Sequence, residues 1–270
     1  MNLLVDIGNT RIKLGYATSA GHHNPKQTLA LTPTDLPLVL PWLQQHHLTP
    51  TRALIVSVAA LAVEQQVMQL LESIHCPTLW LSSAHPCPLL RNGYDQPEQL
   101  GADRWLALIG VLAQHQSAHT PILHASFGTA TTIDTVLPKK TDHASEKALF
   151  SGGLILPGPQ LMADSLALNT AKLGQGVGTL QDFPSNTRAA ISTGIAGAQA
   201  GAVLRQWQLT HALGLGAPIL VCSGGGWNLV QQEMEKAYAC QRHQLHLALQ
   251  PIYHQPTPVL DGLAYMATQY

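Results

Sequence analysis

Leu3-Leu4-Val5-Asp6-Ile7-Gly8-Asn9-Thr10-Arg11-Ile12-Lys13 sets an apolar run, a glycine turn and a second half-apolar run end to end. The pattern predicts two short strands, residues 2–6 and 11–17, around a tight turn. The same grammar returns at Pro121-Ile122-Leu123, followed by Ser126-Phe127-Gly128-Thr129-Ala130-Thr131-Thr132-Ile133-Asp134. There it predicts strands over 121–125 and 129–136. One β-hairpin used twice, about a small domain apart, points to two similar domains. A glycine turn lets backbone N–H groups approach an anion, and threonine hydroxyls add donors, so a facing pair suits a polyphosphate. The first hairpin leads with a carboxylate, Asp6; the second leads with Ser126. Taken alone, the first segment reads equally well as a plain type I′ hairpin, since Gly and Asn both tolerate positive φ.

Working outward, the 270 residues are 46% hydrophobic and 11% charged, a composition for a packed core rather than disorder. A net charge of −1 excludes strong electrostatic attraction to nucleic acid or membranes. The 14 histidines are scattered, without the spacings of a metal cluster. Cys76, Cys87, Cys222 and Cys240 form no C-x-x-C pair and read as reduced thiols. Asp6 interrupts the early apolar run, so no signal peptide is expected. No apolar segment has spanning length. The expected location is the cytoplasm.

Strands are predicted over 52–58 and 79–81, with helices over 36–46, weakened by Pro41, and 61–74. Asn24 to Asp35 reads as a turn or edge, and Ser82 to Pro88 as a loop. Leu100-Gly101-Ala102-Asp103-Arg104-Trp105 opens a helix through about Gln114. The polar stretch 114–120 marks a boundary. Residues 137–147 read as an exposed tip, with Lys139-Lys140 as surface charge. Gly152-Gly153-Leu154-Ile155-Leu156-Pro157-Gly158 precedes a helix over 159–168. Residues 187–212 form a long helix with Ala189, Gly194, Ala198 and Gly201 at helical spacing, suited to tight core packing or a dimer interface. A strand over 218–222 ends in Ser223-Gly224-Gly225-Gly226, and a helix from about Leu260 closes the chain. Strand–helix alternation gives an α/β class. The expected domains are 1–118 and 119–258, with the helix 259–270 packing back on the first.

Neither hairpin matches the Walker pattern, and no G-x-G-x-x-G follows a strand, so the common nucleotide folds are not supported. Asp6 would orient Mg²⁺ through water, and Lys13 would add a phosphate counter-charge. The glycines at 224–226 would let adenosine lie against the backbone, or form only a loop turn. Three glycine-rich strand ends in this order describe an ATP cleft between two domains. Phosphoryl transfer needs a group that takes or orients the acceptor proton. Asp103 is the candidate, with helix capping as the alternative. Asp134 competes, and Asp164 and Asp261 read as surface or capping groups.

In this order and spacing, Asp6-Ile7-Gly8-Asn9-Thr10, Gly101-Ala102-Asp103-Arg104, Gly128-Thr129-Ala130-Thr131-Thr132-Ile133-Asp134 and Gly152-Gly153-Leu154-Ile155-Leu156-Pro157-Gly158 resemble the type III pantothenate kinases, which include Bvg accessory factor-like proteins. The resemblance implies the acetate and sugar kinase/actin-like fold: two ribonuclease H-like domains with an ATP cleft between them. It implies a homodimer that transfers phosphate from ATP to the hydroxyl of pantothenate, the first step of coenzyme A biosynthesis. By the same resemblance, Asp6, Ile7, Gly8, Asn9, Thr10, Arg11, Ile12 and Lys13 hold ATP and its Mg²⁺, and Thr129 contacts ATP. Asp103 becomes the proton acceptor. Tyr94, Gly101, Ala102, Arg104 and Thr187 join it around pantothenate. The family places an aspartate at the position of Ser126, binding K⁺ or ammonium. Serine keeps an oxygen and loses the charge, so weak or dispensable K⁺ binding is expected. A regulatory accessory protein, or a kinase of another hydroxy compound, is the alternative that the residues alone leave open.

Overall fold

The computed structural model describes residues 1–18, 21–115, 119–139, 146–169, 176 and 178–270. It divides into two compact units, Met1–Ser117 with Lys139–Phe150 and Thr257–Tyr270, and Ala118–Pro138 with Ser151–Pro256. Residues 116–118 of the expected boundary, and 140–145 of the expected tip with Lys140, lie outside the described residues.

The first unit contains β1 (Asn2–Ile7), β2 (Ile12–Ala17), β3 (Leu29–Leu31), α1 (Val39–Gln45), β4 (Arg52–Ser57), α2 (Leu61–Ser73), β5 (Thr78–Trp80), β6 (Leu90–Asn92) and α3 (Ala102–Gln114). Its sheet runs β3-β2-β1-β4-β5. β1 pairs antiparallel with β2 and parallel with β4, and β3 is an antiparallel edge. Pro33–Leu38 forms 3₁₀ turns, so the α-helix expected from residue 36 begins only at Val39. Pro41 then falls in the first turn, where a missing N–H breaks no helical bond.

Alternation along β1 sorts its side chains between two faces. Leu3, Val5 and Ile7 pack with Ile55, with Val39, Trp42 and Leu43 of α1, and with Val67 and Leu71 of α2. Leu4 and Asp6 point to the other face.

The second unit contains β7 (Ile122–Phe127), β8 (Ala130–Leu137), β9 (Ala148–Pro157), α4 (Pro159–Asn169), α5 (Thr187–His211), β10 (Ile219–Ser223), α6 (Trp227–Gln244) and β11 (Tyr253–His254). Its sheet runs β11-β10-β7-β8-β9. β7 is antiparallel to β8 and parallel to β10. Leu123, Ala125, Phe127 and Ile133 form the core with Ala196, Ala200, Val203 and Trp207 of α5 and with Val230, Met234 and Tyr238 of α6. The start of β9, Ala148 to Phe150, belongs to the first unit and pairs there with β6.

The last helix, α7 (Pro258–Met266), lies in the first unit against α3. The two helices touch backbone to backbone: a β-carbon at Gly262 would stand 1.9 Å from the Leu106 carbonyl oxygen.

Candidate functional site

The predicted site residues fall into two groups, one in each unit. In the first, Asp6 lies opposite Lys13 across the β1–β2 hairpin. The hairpin closes through a four-residue loop, with the Gly8 N–H donating to the Arg11 carbonyl at 3.0 Å. Neither Gly8 nor Asn9 has positive φ, which rules out the type I′ turn. Asn9, Thr10 and Arg11 are exposed on the loop, whereas the Ile7 and Ile12 side chains are 0% exposed in the core. Only the backbone of those two is available to a ligand.

Asp6 is 8% exposed. Burial pushes its carboxyl from 3.8 up to about 6; Lys13 opposes the rise, and the negative Asp103 adds to it. The β1 alternation thus turns a carboxylate towards the start of α3, where Asp103 sits in the first turn.

Gly101, at the N-cap of α3, has no side chain to cap the helix. Asp103 Oδ1 accepts the Arg104 N–H at 2.8 Å, so the capping alternative is partly true. That bond holds the carboxylate at a fixed angle. A β-carbon at Gly101 would lie 2.7 Å from the same oxygen and displace it.

Arg104 is buried at 7% exposure, and its Nη1 donates to Tyr94 Oη at 3.0 Å. Its guanidinium lies 5.8 Å from the ring centroids of both Tyr94 and Phe150. The two rings are 5.2 Å apart. Asn92 Oδ1 fixes Tyr94 by accepting its N–H at 3.0 Å. A desolvated cation beside a pair of touching rings is held by their quadrupoles. Sequence reasoning brought Tyr94 to Arg104 but missed Phe150. The apolar run Ala148-Leu149-Phe150 at the start of β9 was the available signal for a strand there.

The second group stands on β7 and β8. Ser126 is half-buried, in register with Thr132 on one side and Ser223 on the other. Thr129 is exposed at the turn. His124, on the same face as Ser126, shares a 2.9 Å hydrogen bond with Ser223 Oγ. Asp134, the competing candidate base, is 0% exposed opposite His124 and so is inaccessible to an acceptor. Thr187 is exposed at the start of α5, whose N-cap Asn186 accepts the Ala189 N–H at 3.0 Å. Asp164 is a surface group, as read. Asp261 is not: it sits 3.0 Å from His23 Nδ1, with its side chain 9% exposed, and also accepts Gln114 Nε2.

Among the described residues, no three His, Cys, Asp or Glu side chains cluster as a metal site. A single buried carboxylate beside a lysine does fit Mg²⁺, which keeps most of its waters and takes few protein ligands. A surface groove of about 550 Å³, lined by Leu61, Met68, Glu72 and Trp80 among others, involves α2, on the sheet face away from Asp6.

The sequence profile of the family described as type III pantothenate kinase matches residues 2–209. The chain is 42% identical over 271 residues to the type III pantothenate kinase of Bordetella pertussis, covering 100% of this chain and 98% of that protein. It is 45% identical over 270 residues to that of Bordetella petrii, with the same coverage, 100% and 98%. Among solved structures it resembles a Campylobacter jejuni protein described as a Baf family transcriptional activator, with a TM-score of 0.58 at 15% identity over 99% of this chain and 98% of that one. It also resembles a Listeria monocytogenes protein described as an N-acetylmannosamine kinase, with a TM-score of 0.52 at 11% identity over 99% and 98%. At such identities these likenesses concern the fold, that of the actin-like and sugar kinase proteins.

Proposed function

The chain belongs to the type III pantothenate kinase family, and from that premise we propose how its residues divide the ATP-dependent phosphorylation of pantothenate to 4′-phosphopantothenate, the first step of coenzyme A biosynthesis. The observation that carries the assignment is the convergence of Asp6, Lys13 and Asp103 on one face of the first unit's sheet. Asp103 accepts or orients the proton of the pantothenate hydroxyl. Its Oδ1 is tied to the Arg104 amide, which sets the carboxylate's direction in advance. Arg104, steadied by Tyr94 and Phe150, offers guanidinium donors to the pantothenate carboxylate or amide. Gly101 and Ala102 leave room beside them, and Thr187 adds a hydroxyl.

Lys13, the loop 8–11 and Thr129 contact ATP phosphates. Asp6 would hold Mg²⁺ through water; when bound, the ion neutralises charge on the phosphates. Purified protein incubated with ATP, Mg²⁺ and pantothenate is expected to yield phosphopantothenate. Asp103→Asn should lower kcat by about 10²–10⁴-fold with the circular dichroism spectrum unchanged. Near wild-type kcat in that variant would remove Asp103 from the role.

A monovalent cation fits poorly. Ser126 supplies a neutral hydroxyl between two other hydroxyl residues, Thr132 and Ser223, and the latter is engaged by His124. On this reading the enzyme works without K⁺ or ammonium, or binds them weakly. Saturable activation at low millimolar K⁺ would overturn it.

A homodimer is supported by α5, where Gly194, Ala198 and Gly201 are exposed and a β-carbon at either glycine would meet nothing within 4 Å. Small residues facing open space suit close approach by a second helix. Light scattering should give twice the chain mass, and Ala198→Glu should shift it to one. A cytoplasmic location agrees with four free cysteines and with the lack of a membrane-length apolar helix among the described residues.

A further inference from the structure

The Phe127–Ala130 turn carries Thr129, and two distant segments grip it by backbone alone. From the junction of β9 and α4, the Gly158 N–H donates to the Thr129 carbonyl at 2.9 Å. From the junction of β10 and α6, the Gly226 N–H donates to the Phe127 carbonyl at 2.8 Å. Within the turn, the Gly128 N–H donates to the Ala130 carbonyl at 3.1 Å. Three carbonyls that would repel a polyphosphate are thereby occupied by protein donors.

The grip has no slack. A β-carbon at Gly158 would stand 2.0 Å from the Gly128 oxygen and 2.7 Å from the Thr129 oxygen. At Gly224, whose φ is +92°, it would stand 2.4 Å from the Phe127 oxygen and 2.7 Å from its nitrogen. These neighbours are backbone atoms, so the turn itself would have to move. Gly158 is fixed from behind as well. Gln199 of α5, itself 0% exposed, donates from Nε2 to the Pro157 carbonyl at 2.8 Å. The glycines after β10, which read in the sequence as a platform for adenosine, have a different demand on them here: the close approach of Phe127.

We infer that Gly158 and Gly224 are positioning residues for ATP, seating the Phe127–Ala130 turn so that Thr129 meets the phosphates. The inference rests on the reading that Thr129 contacts ATP, and the test separates the two. Gly158→Ala and Gly224→Ala are each expected to raise the Kd for ATP, and its KM, at least tenfold. The KM for pantothenate at saturating ATP should stay within twofold. Leu71→Ala, a core truncation on α2 of the first unit that lowers the melting temperature and belongs to a core without Phe127, should leave ATP affinity within twofold. Gly226→Ala, whose β-carbon would lie 3.1 Å from the Phe127 oxygen, is the milder variant should the others fail to fold. Folded Gly158→Ala and Gly224→Ala proteins with wild-type ATP affinity, while Thr129→Ala weakens it, would overturn the seating role. So would an equal loss of ATP affinity in Leu71→Ala. If Thr129→Ala binds ATP normally and the glycine variants do not, the glycines seat the turn's backbone for ATP and the Thr129 side-chain contact falls.

Discussion

The two hairpins share a plan and differ in the residue that leads into the turn. β1–β2 encloses a charge: Asp6 is 8% exposed beside Lys13, and burial lifts its carboxyl to about 6. β7–β8 presents hydroxyls at the corresponding register, Ser126 beside Thr132 and Ser223. The first turn is a four-residue loop with an exposed tip, while the second is clasped by backbone from two junctions. One fold element thus serves two tasks. The first hairpin stores electrostatic strain that a cation can relieve. The second holds a shape and has a neutral hydroxyl, Ser126, at its leading position.

Exchanging the charge should break this comparison most severely. Asp6→Asn is expected to reduce kcat/KM on the order of 10³-fold, whereas Ser126→Ala should cost only a few-fold. The same Asn substitution should stabilise the fold. The folded-state pKa of Asp6 is raised, so between about 4 and 6 the folded chain holds a proton that the unfolded chain has released. Stability therefore falls as pH rises through that window, and the full cost is present at pH 7. A shift from 3.8 to about 6 corresponds to about 3 kcal/mol. Asp6→Asn should melt higher than wild type at pH 7 and no higher at pH 3.5. Equal melting temperatures at pH 7 would mean that the buried carboxylate is not strained.

A smaller effect belongs to the aromatic cage beside the first hairpin. Arg104→Lys keeps the charge but loses the planar contact with Tyr94 and Phe150. The KM for pantothenate is expected to rise about tenfold, or about 1.4 kcal/mol, with the KM for ATP unchanged. A rise in both would place Arg104 in general scaffolding rather than at the acceptor.

Much of this was legible because it rests on local rules. Period-two alternation and a glycine located both hairpins, and the 187–212 expectation fell within one residue of α5 (Thr187–His211) because its small residues repeat at helical spacing. What stayed hidden depends on contacts between distant segments. β6 is three residues long and exists only because β9 runs beside it. Phe150 meets Arg104 through that pairing, and nothing near Arg104 in the sequence announces it. Asp261 looked like a helix-start residue, yet it pairs with His23, over two hundred positions away. The helix α6 was legible and was overlooked: Trp227, Val230, Met234 and Tyr238 recur every three or four residues. The triple glycine shows the opposite failure, a local signal whose cause is the distant Phe127 carbonyl.

The mildest exchange sharpens the comparison from the other side. Ser126→Asp would give the second hairpin the leading carboxylate of the first. Its neighbour in register, Thr132, can donate a hydroxyl hydrogen bond, and the position is half-buried rather than sealed. A carboxylate there should cost about 1 kcal/mol of stability, much less than the strain at Asp6. A monovalent cation should relieve part of that cost through charge neutralisation. The variant is therefore expected to melt slightly lower than wild type in sodium-free buffer, to recover with added K⁺, and to gain a saturable K⁺ response in kcat that wild type lacks. If K⁺ leaves the variant unmoved, the loss of charge at position 126 is not what separates the two hairpins. The difference would then lie in the clasp alone, and the glycine variants at 158 and 224 would be the only ones able to reveal it.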